Sequence, residues 1–320
     1  MRSVIFRSIA IIFLLASCKS SVNNRGEKHV ITIATLKGPS SMGMIWMIDS
    51  LANTESSNIK VILVDEPIQV RKMILDGTAG FAVLPSTMAA ILYNKGFDYS
   101  LVAIPVWGTL YLLGNDTTIS NWNDLKNSTV HVMAKGMTPD VLFRYLLMKN
   151  NITPGEDITL DYSFPTHIEL ANAVAAGRAN LAVISEPLVS LVMNKNKHIH
   201  PLLDLNVEWK KQLGAPMAQT AFLVKKELRE EQPLLVEQVL TAYENSTIRV
   251  NQDARKAAKL MVNYGILPDT LVAFQSIPGS NLHFVRANEI KKEIHEYLKI
   301  FFNMNPEIVG GRLPNENFIR

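Results

Sequence analysis

Short apolar strands alternate with amphipathic helices along most of this chain, and this alternation restricts the fold more than any other feature. The β-branched and apolar runs that predict strands lie at residues 30–34, 59–64, 80–84 and 100–106. The helical patterns between them lie at residues 42–51, 68–75 and 86–95. Because strands that alternate with helices build sheets of parallel strands covered by helices, the pattern predicts an α/β fold with largely parallel sheets.

The pattern repeats after 100 residues. Gly77 and Ala79 fall on Gly177 and Ala179, and apolar residues match in one register from 68–84 to 168–184. Each copy reads as an amphipathic helix, a glycine at its end and an apolar strand. Helix–glycine–strand units look alike in many α/β proteins, but so many matches in one register favour two similar lobes.

Two crossings between these lobes are predicted. Trp107–Tyr111 leads out of the first lobe, and Gly214-Ala215-Pro216 marks the return to a strand at 220–225. The predicted first lobe therefore comprises residues 29–108 plus 217–320, and the second lobe comprises 109–216. The helices that complete the chain are predicted at 233–250, 254–264 and 289–303. Two crossings are the geometry of a hinged clamp that closes on a ligand.

The single cysteine, Cys18, indicates where the protein resides. Residues 1–17 have a basic start and a short apolar core, so they predict a cleaved secretory signal rather than a membrane span. The sequence Leu15-Ala16-Ser17-Cys18 resembles a bacterial lipobox, which implies lipid on Cys18 and a membrane-anchored protein that faces the periplasm or the extracellular side. The alternative is an ordinary signal followed by an incidental cysteine. Residues 18–28 form the predicted tether.

Composition argues against several classes of protein. Removal of Arg2 and Arg7 with the signal lowers the net charge from +3 to +1, and no run of basic residues suggests nucleic acid. The histidines lack metal-ligand spacing. No nucleophile elbow, Walker loop or dinucleotide fingerprint is present. We therefore expect no enzyme activity, no metal and no cofactor.

Four junctions between a predicted strand and a helix carry small or polar residues. Ligands of α/β proteins bind at such strand ends, beside the unpaired N–H groups of helix N-termini. Ser40 or Ser41, and Thr138, are predicted N-caps, with Pro139 at the first helical position. The residues predicted to contact ligand are Ser40, Ser41, Met42, Ser86, Thr87, Trp107, Met137, Thr138 and Glu186. A single junction of this kind usually only caps its helix, whereas two from each lobe favour binding.

Three of these residues have open alternatives. Glu186 suits a ligand amine, but it also suits the dipole of its own helix. Trp107 and Met137 provide an apolar wall for a planar ligand, or they pack at the hinge.

The same junctions resemble those of a known family. Residues 34–43, 83–87 and 134–139 are similar to the three ligand loops of solute-binding lipoproteins from bacterial ABC importers, in the nitrate, sulfonate, taurine and thiamine-precursor branch. Ser185-Glu186-Pro187 and the tail at 305–314 are also similar to that group. The resemblance implies a two-lobed, type II periplasmic-binding fold. It also implies a monomer that delivers a small anion, zwitterion or amino-heterocycle to a permease and its ATPase.

Two other functions are compatible with this resemblance. One is that of a lipoprotein sensor that does not transport, because such a sensor would have the same sequence features. Pyrimidine-forming enzymes of thiamine synthesis share the fold but carry a cysteine-rich motif, and this chain has no cysteine after Cys18.

Overall fold

The computed structural model describes residues 30–320. The predicted signal, tether and Cys18 therefore lie outside the described residues. The strands are β1 (Ile31–Leu36), β2 (Ile59–Val64), β3 (Phe81–Pro85), β4 (Tyr99–Val106), β5 (Leu110–Gly114), β6 (Thr129–Val132), β7 (Thr159–Asp161), β8 (Leu181–Ser185), β9 (His200–Asp204), β10 (Thr220–Lys225) and β11 (Leu282–Arg286).

The helices cover both faces of the sheets that these strands form. They are α1 (Pro39–Gly43), α2 (Ile45–Ala52), α3 (Pro67–Leu75), α4 (Ser86–Asn94), α5 (Thr138–Lys149), α6 (His167–Ala175), α7 (Leu188–Lys195), α8 (Leu205–Leu213), α9 (Lys226–Glu231), α10 (Pro233–Gln252), α11 (Ala254–Asn263), α12 (Thr270–Gly279) and α13 (Lys291–Met304). Short 3₁₀ turns lie at Trp122–Leu125, Ala287–Glu289, Pro306–Val309 and Glu316–Phe318.

Two sheets organise the described residues. One has the strand order β11-β4-β10-β3-β1-β2, and the other has the order β7-β6-β8-β5-β9. We call the first sheet with its helices the first lobe, and the second sheet with its helices the second lobe. The predicted α/β class, with two sheets flanked by helices, is confirmed.

The prediction that each sheet is mostly parallel is confirmed for strand direction, since four of the six strands of the first sheet and four of the five strands of the second run the same way, but both sheets are mixed. In the first sheet β1 pairs in parallel with β2 and β3, but β10 runs antiparallel to both β3 and β4, and β11 is antiparallel to β4. In the second sheet β5 is antiparallel to both β8 and β9. The physical reason is the path of the chain. Strands β5 and β10 are the first to follow each crossing, so they enter their sheets in the opposite direction to the strands beside them.

The repeat after 100 residues extends to the element boundaries. Helix α3 and strand β3 become α6 and β8 when the numbering is shifted by 100, and each pair has identical limits. Gly77 and Gly177 end the two helices with φ of 68° and 70°. Both glycines use the left-handed conformation that ends a helix without a Cβ penalty.

Other predictions differ from the structure in detail. The helix predicted at 42–51 is divided at Met44 into α1 and α2. The sequence patterns predict neither strands β5, β7, β9 and β11 nor helices α8, α9 and α12. These strands have three to five residues and little alternation, so no local pattern marked them.

An aromatic cluster joins α13 to the second lobe. Trp209 of α8 lies 5.4 Å from Tyr145 of α5 and 5.6 Å from Tyr297 of α13, measured between ring centroids. Helix α13 also packs on α4 of the first lobe. The last helix therefore bridges the two lobes behind the crossings. Within residues 30–320, no helix combines the length and apolarity that a bilayer span requires.

Candidate functional site

The predicted junctions meet where the two lobes face each other. The hydroxyl oxygens of Thr87, in the first turn of α4, and Thr138, in the first turn of α5, lie 2.8 Å apart. A Cβ built on Gly38, before α1, would lie 3.9 Å from Cδ of Pro187, before α7. Two loops of the first lobe therefore each contact one loop of the second lobe, and we call the region where the four loops meet the cleft.

Eight of the nine residues predicted to contact ligand are buried. Only Met137 is exposed, with 48% of its surface accessible. The buried ones are Ser40, Ser41, Met42, Ser86, Thr87, Trp107, Thr138 and Glu186.

The first loop is held by its own hydroxyl groups. Ser40 Oγ accepts a hydrogen bond from the Thr35 hydroxyl at 3.1 Å. Ser41 Oγ accepts one from the Gly38 amide at 3.2 Å and donates to the Gly38 carbonyl at 3.1 Å. Met42 has no exposed surface and belongs to the core of the first lobe. The first loop is therefore hydrogen-bonded within the protein itself.

The second loop is tied to the returning crossing. Ser86 Oγ donates to the Ala218 carbonyl at 2.6 Å, and the Ser86 amide donates to the Gln219 carbonyl at 2.9 Å. The Gln219 side chain in turn accepts a hydrogen bond from the Thr109 amide of the outgoing crossing at 3.0 Å. Gln219 therefore connects both crossings, and Ser86 connects them to the cleft.

The predicted N-caps are wrong by one to three residues. Helix α1 has Gly38 as its N-cap, and α5 has Met137, so Thr138 is the first helical residue and Pro139 the second. The reason is backbone conformation. Met137 is extended, with φ of −100° and ψ of 179°, and an N-cap residue needs such non-helical angles.

Glu186 lies between the lobes. Its carboxyl group accepts hydrogen bonds from the Ser190 amide at 3.1 Å and the Ser190 hydroxyl at 2.9 Å, both at the start of α7. A Cβ on Gly279, at the end of α12, would lie 2.9 Å from Glu186 Oε1. Burial raises the pKa of Glu186 to about 7, and the Ser190 hydrogen bonds oppose this only in part. The contacts are those of a carboxyl group that serves its own helix.

Trp107 packs at the hinge. Its indole N–H donates to the His283 carbonyl at 2.6 Å, and the two rings lie 6.5 Å apart. These contacts join the end of β4 to β11. They favour packing, the second of the two alternatives for this residue, and its role towards a ligand stays a prediction.

Sequence reasoning missed four residues that shape the cleft. They are Asp140, Tyr162, Gln219 and Gly279. Asp140 follows Thr138-Pro139, and an acidic residue in the first turn of a helix is a recognised start signal. Tyr162, Gln219 and Gly279 carry no local signal, because each acts on a residue that is distant in sequence. In the part of the chain that the structure describes, no group of three or more His, Cys, Asp or Glu side chains is arranged to hold a metal ion.

This geometry, with two α/β lobes, two crossings and a cleft lined by helix N-termini, defines a bilobal substrate-binding protein. Residues 48–266 match the family described as "ABC transporter, phosphonate, periplasmic substrate-binding protein". The match covers more than half of the chain, so the chain belongs to this family, and the predicted relationship to importer solute-binding proteins is confirmed.

Solved structures show the same fold. An ABC transporter protein from Parabacteroides distasonis is 28% identical with a TM-score of 0.79, and the match covers 91% of this chain and 99% of that one. The periplasmic aliphatic sulphonate binding protein SsuA from Escherichia coli is 16% identical with a TM-score of 0.70, covering 90% and 92%. The putative binding protein YtlA from Bacillus subtilis (strain 168) is 32% identical over 88 residues. That match spans 28% of this chain and about a quarter, 26%, of the relative's length.

Proposed function

We propose that this protein captures a small organic oxyanion, a phosphonate or a sulfonate, in the cleft between its lobes and delivers it to an ABC permease and ATPase. The observation that carries this proposal is the meeting of Thr87 and Thr138. Each hydroxyl lies in the first turn of a helix, and the two helices belong to different lobes. A ligand between them would contact both lobes, so binding would favour the closed form.

The chemistry of the cleft favours an oxyanion. Helix N-termini and hydroxyl groups donate hydrogen bonds to negatively charged oxygens, and the helix dipole adds a favourable field. Among residues 30–320 the buried polar side chains include no lysine or arginine, so these neutral donors would carry the recognition. The family description names phosphonate, and the E. coli neighbour is a sulphonate binding protein.

An amine-bearing ligand has less support. It would need a carboxylate acceptor, and Glu186 is the sequence candidate for that role. The Glu186 carboxyl group already accepts two hydrogen bonds from Ser190. We therefore rank taurine and aminopyrimidines below simple phosphonates and sulfonates.

The proposed domain organisation follows the sequence analysis. Residues 29–108 plus 217–320 would move against 109–216 about the crossings. The protein would act as a monomer, with lipid on Cys18 holding it at the membrane and residues 18–28 as the tether. Two or more acyl chains give a stable anchor, since each buried CH₂ contributes about 0.8 kcal/mol. Cys18→Ala should move the protein from the membrane fraction to the soluble fraction, and intact-mass analysis that finds an unmodified Cys18 would contradict the anchor.

The ligand proposal is tested by calorimetric titration with methylphosphonate, methanesulfonate, taurine and nitrate. We expect micromolar or tighter binding of a phosphonate or a sulfonate. Thr138→Val removes one hydroxyl contact, which is worth about 0.5–1.5 kcal/mol, so the Kd should rise about 2- to 10-fold. Thr129→Val is the matched control, because Thr129 lies at the opposite end of β6. Failure of all four probes to bind would refute the proposed ligand class.

Genetic experiments distinguish an importer component from a sensor that does not transport. Genes for a permease and an ATPase beside this gene, and loss of ligand uptake when the gene is deleted, are expected of the importer. Normal uptake after deletion would favour the sensor.

A further inference from the structure

The loop between β6 and α5 contains two residues with left-handed backbone conformations. Ala134 has φ of 52° and Gly136 has φ of 78°. Glycine adopts left-handed angles without penalty, but alanine does so rarely because its Cβ approaches the backbone. Residues 134–137, which we call the third loop, lead directly into Thr138, and Thr138 contacts Thr87 across the cleft. The conformation of the third loop therefore sets the position of one side of the cleft.

Asp140 supports the third loop. It is 98% buried, since only 2% of its surface is accessible, and its Oδ2 accepts a hydrogen bond from the Gly136 amide at 2.7 Å. Its Oδ1 accepts hydrogen bonds from Arg144 Nε at 2.8 Å and from the Tyr162 hydroxyl at 2.7 Å. Arg144 also donates to the Tyr162 hydroxyl at 2.6 Å. One buried carboxylate thus connects the third loop, helix α5 and the segment after β7.

The same network reaches the charge at the tip of the third loop. Lys135 Nζ lies 5.3 Å from the centre of the Tyr162 ring, within the range of a cation–π contact. The Arg144 guanidinium lies 5.9 Å from the same ring. The Tyr162 hydroxyl is therefore hydrogen-bonded to Asp140 and Arg144, and the Tyr162 ring makes the cation–π contact with Lys135. The exposed ammonium group of Lys135 therefore has one partner within the protein, the Tyr162 ring.

We infer that Asp140, with Arg144 and Tyr162, is the positioning device of the third loop, and that ligand affinity depends on Asp140 although its carboxylate is fully engaged by the protein. The part of the inference that concerns ligand affinity rests on the proposed function. The part that concerns the conformation of the third loop does not. Breaking such a network is costly at Asp140, whose side chain is buried, while the Arg144 side chain is 33% exposed and can still reach water.

The alternative is that Asp140 only stabilises the start of α5, where a carboxylate is favourable. The two roles differ in what Asp140→Asn would change. An asparagine amide presents an NH₂ group either to the Gly136 amide or to Arg144 and Tyr162, so one donor always faces another donor. A purely stabilising role predicts a lower melting temperature with an unchanged third loop in the molecules that remain folded. A positioning role predicts a change in the loop itself.

The test measures amide hydrogen exchange in the third loop together with ligand titration. In Asp140→Asn we expect the Gly136 and Met137 amides to exchange about tenfold faster or more. We also expect the Kd for the phosphonate or sulfonate probe that the wild type binds to rise by about tenfold or more. Asp157→Asn is the matched control. Asp157 also accepts a hydrogen bond from an amide, that of Thr153, and forms an ion pair with Lys126, but it lies two residues before β7, away from the cleft.

Asp157→Asn should change neither the exchange of the third loop nor the affinity. Tyr162→Phe keeps the carboxylate and its pair with Arg144, so it should fold even where Asp140→Asn does not, and it should raise loop exchange by a smaller factor. Unchanged third-loop exchange in Asp140→Asn, or in Tyr162→Phe where only that variant folds, would overturn the inference. So would faster exchange with an unaltered Kd. If the wild type binds none of the probes, the proposed ligand class fails, and loop exchange alone still decides whether Asp140 holds the loop.

Discussion

Replacing Glu186 by glutamine should change how the stability of the protein depends on pH. The Glu186 side chain is 6% exposed and is bonded only to Ser190 in this structure. Burial disfavours the ionised carboxylate and raises the pKa of Glu186 from 4.5 to about 7. Glutamine has nearly the same shape but cannot ionise. The comparison of the two proteins therefore isolates the cost of one buried charge.

The direction follows from proton binding. Below about pH 4.5 the carboxyl group is protonated in the folded and the unfolded chain, and its full contribution to stability is present. Between about pH 4.5 and 7 the unfolded chain loses this proton while the folded protein keeps it, so the free energy of unfolding falls as pH rises. One pKa unit corresponds to about 1.4 kcal/mol, and the change from 4.5 to about 7 therefore corresponds to about 3 kcal/mol.

The assay is urea unfolding of both proteins, without ligand, at intervals from about pH 4 to 8. We expect the free energy of unfolding of the wild type, minus that of Glu186→Gln, to fall by about 3 kcal/mol over this range. Glu169→Gln is the control, since Glu169 also caps a helix of the second lobe but is exposed. A fall of the same size in Glu169→Gln would show that the pH dependence does not come from burial. A flat difference for Glu186→Gln, or one that rises with pH, would refute the reasoning, because a rise means that the folded protein stabilises the carboxylate.

Three further substitutions test contacts at the crossings and between the lobes. Gly108→Ala should lower stability by about 1–3 kcal/mol in chemical denaturation, because φ is +92° and the new Cβ would lie 2.7 Å from Asn206 Oδ1; wild-type stability would contradict this. Gly279→Ala should weaken ligand binding and increase the radius of gyration in small-angle scattering with ligand, since its Cβ would lie 2.9 Å from Glu186 Oε1. If ligand affinity and the radius of gyration are both unchanged, the added Cβ does not hold the lobes apart. Trp107→Phe should cost about 1 kcal/mol of stability for the lost indole hydrogen bond and leave ligand affinity unaltered. Lost affinity at full stability would show that the indole contacts ligand instead.

Local periodicity was sufficient for the elements that repeat. Helices α3 and α6 and strands β3 and β8 were predicted because amphipathic and β-branched patterns, each followed or preceded by glycine, are properties of short segments. The direction of β10 was not predictable in the same way. A strand has the same alternation whether its neighbour runs parallel or antiparallel, and its direction depends on where the chain returns after the crossing.

In the candidate site, too, local features were predictable from the sequence and contacts between distant residues were not. The four loops were identified because serine, threonine, glycine and proline mark the ends of strands and the starts of helices. Their partners were not, since Tyr162 follows Asp140 by 22 residues and Gly279 follows Glu186 by 93. Such contacts are set by the packing of one element on another. The sequence also left two roles open for Glu186, and its bonds to Ser190, which support the role within its own helix, are visible only because the structure places α7 directly after it.

The contacts between the lobes suggest how closure would be controlled. Thr87 and Thr138 meet in the cleft, while Gly279 and Glu186 meet beside the crossings. The first pair consists of hydroxyl groups that a ligand could replace or bridge, whereas the second leaves no room for a Cβ on Gly279, whose carbonyl already accepts a hydrogen bond from the Tyr111 hydroxyl at 3.1 Å. In the proposed closed form a ligand would supply attraction at the first contact, and the second would limit how far the lobes approach. We therefore expect a single added methyl group at Gly279 to weaken binding without touching the ligand.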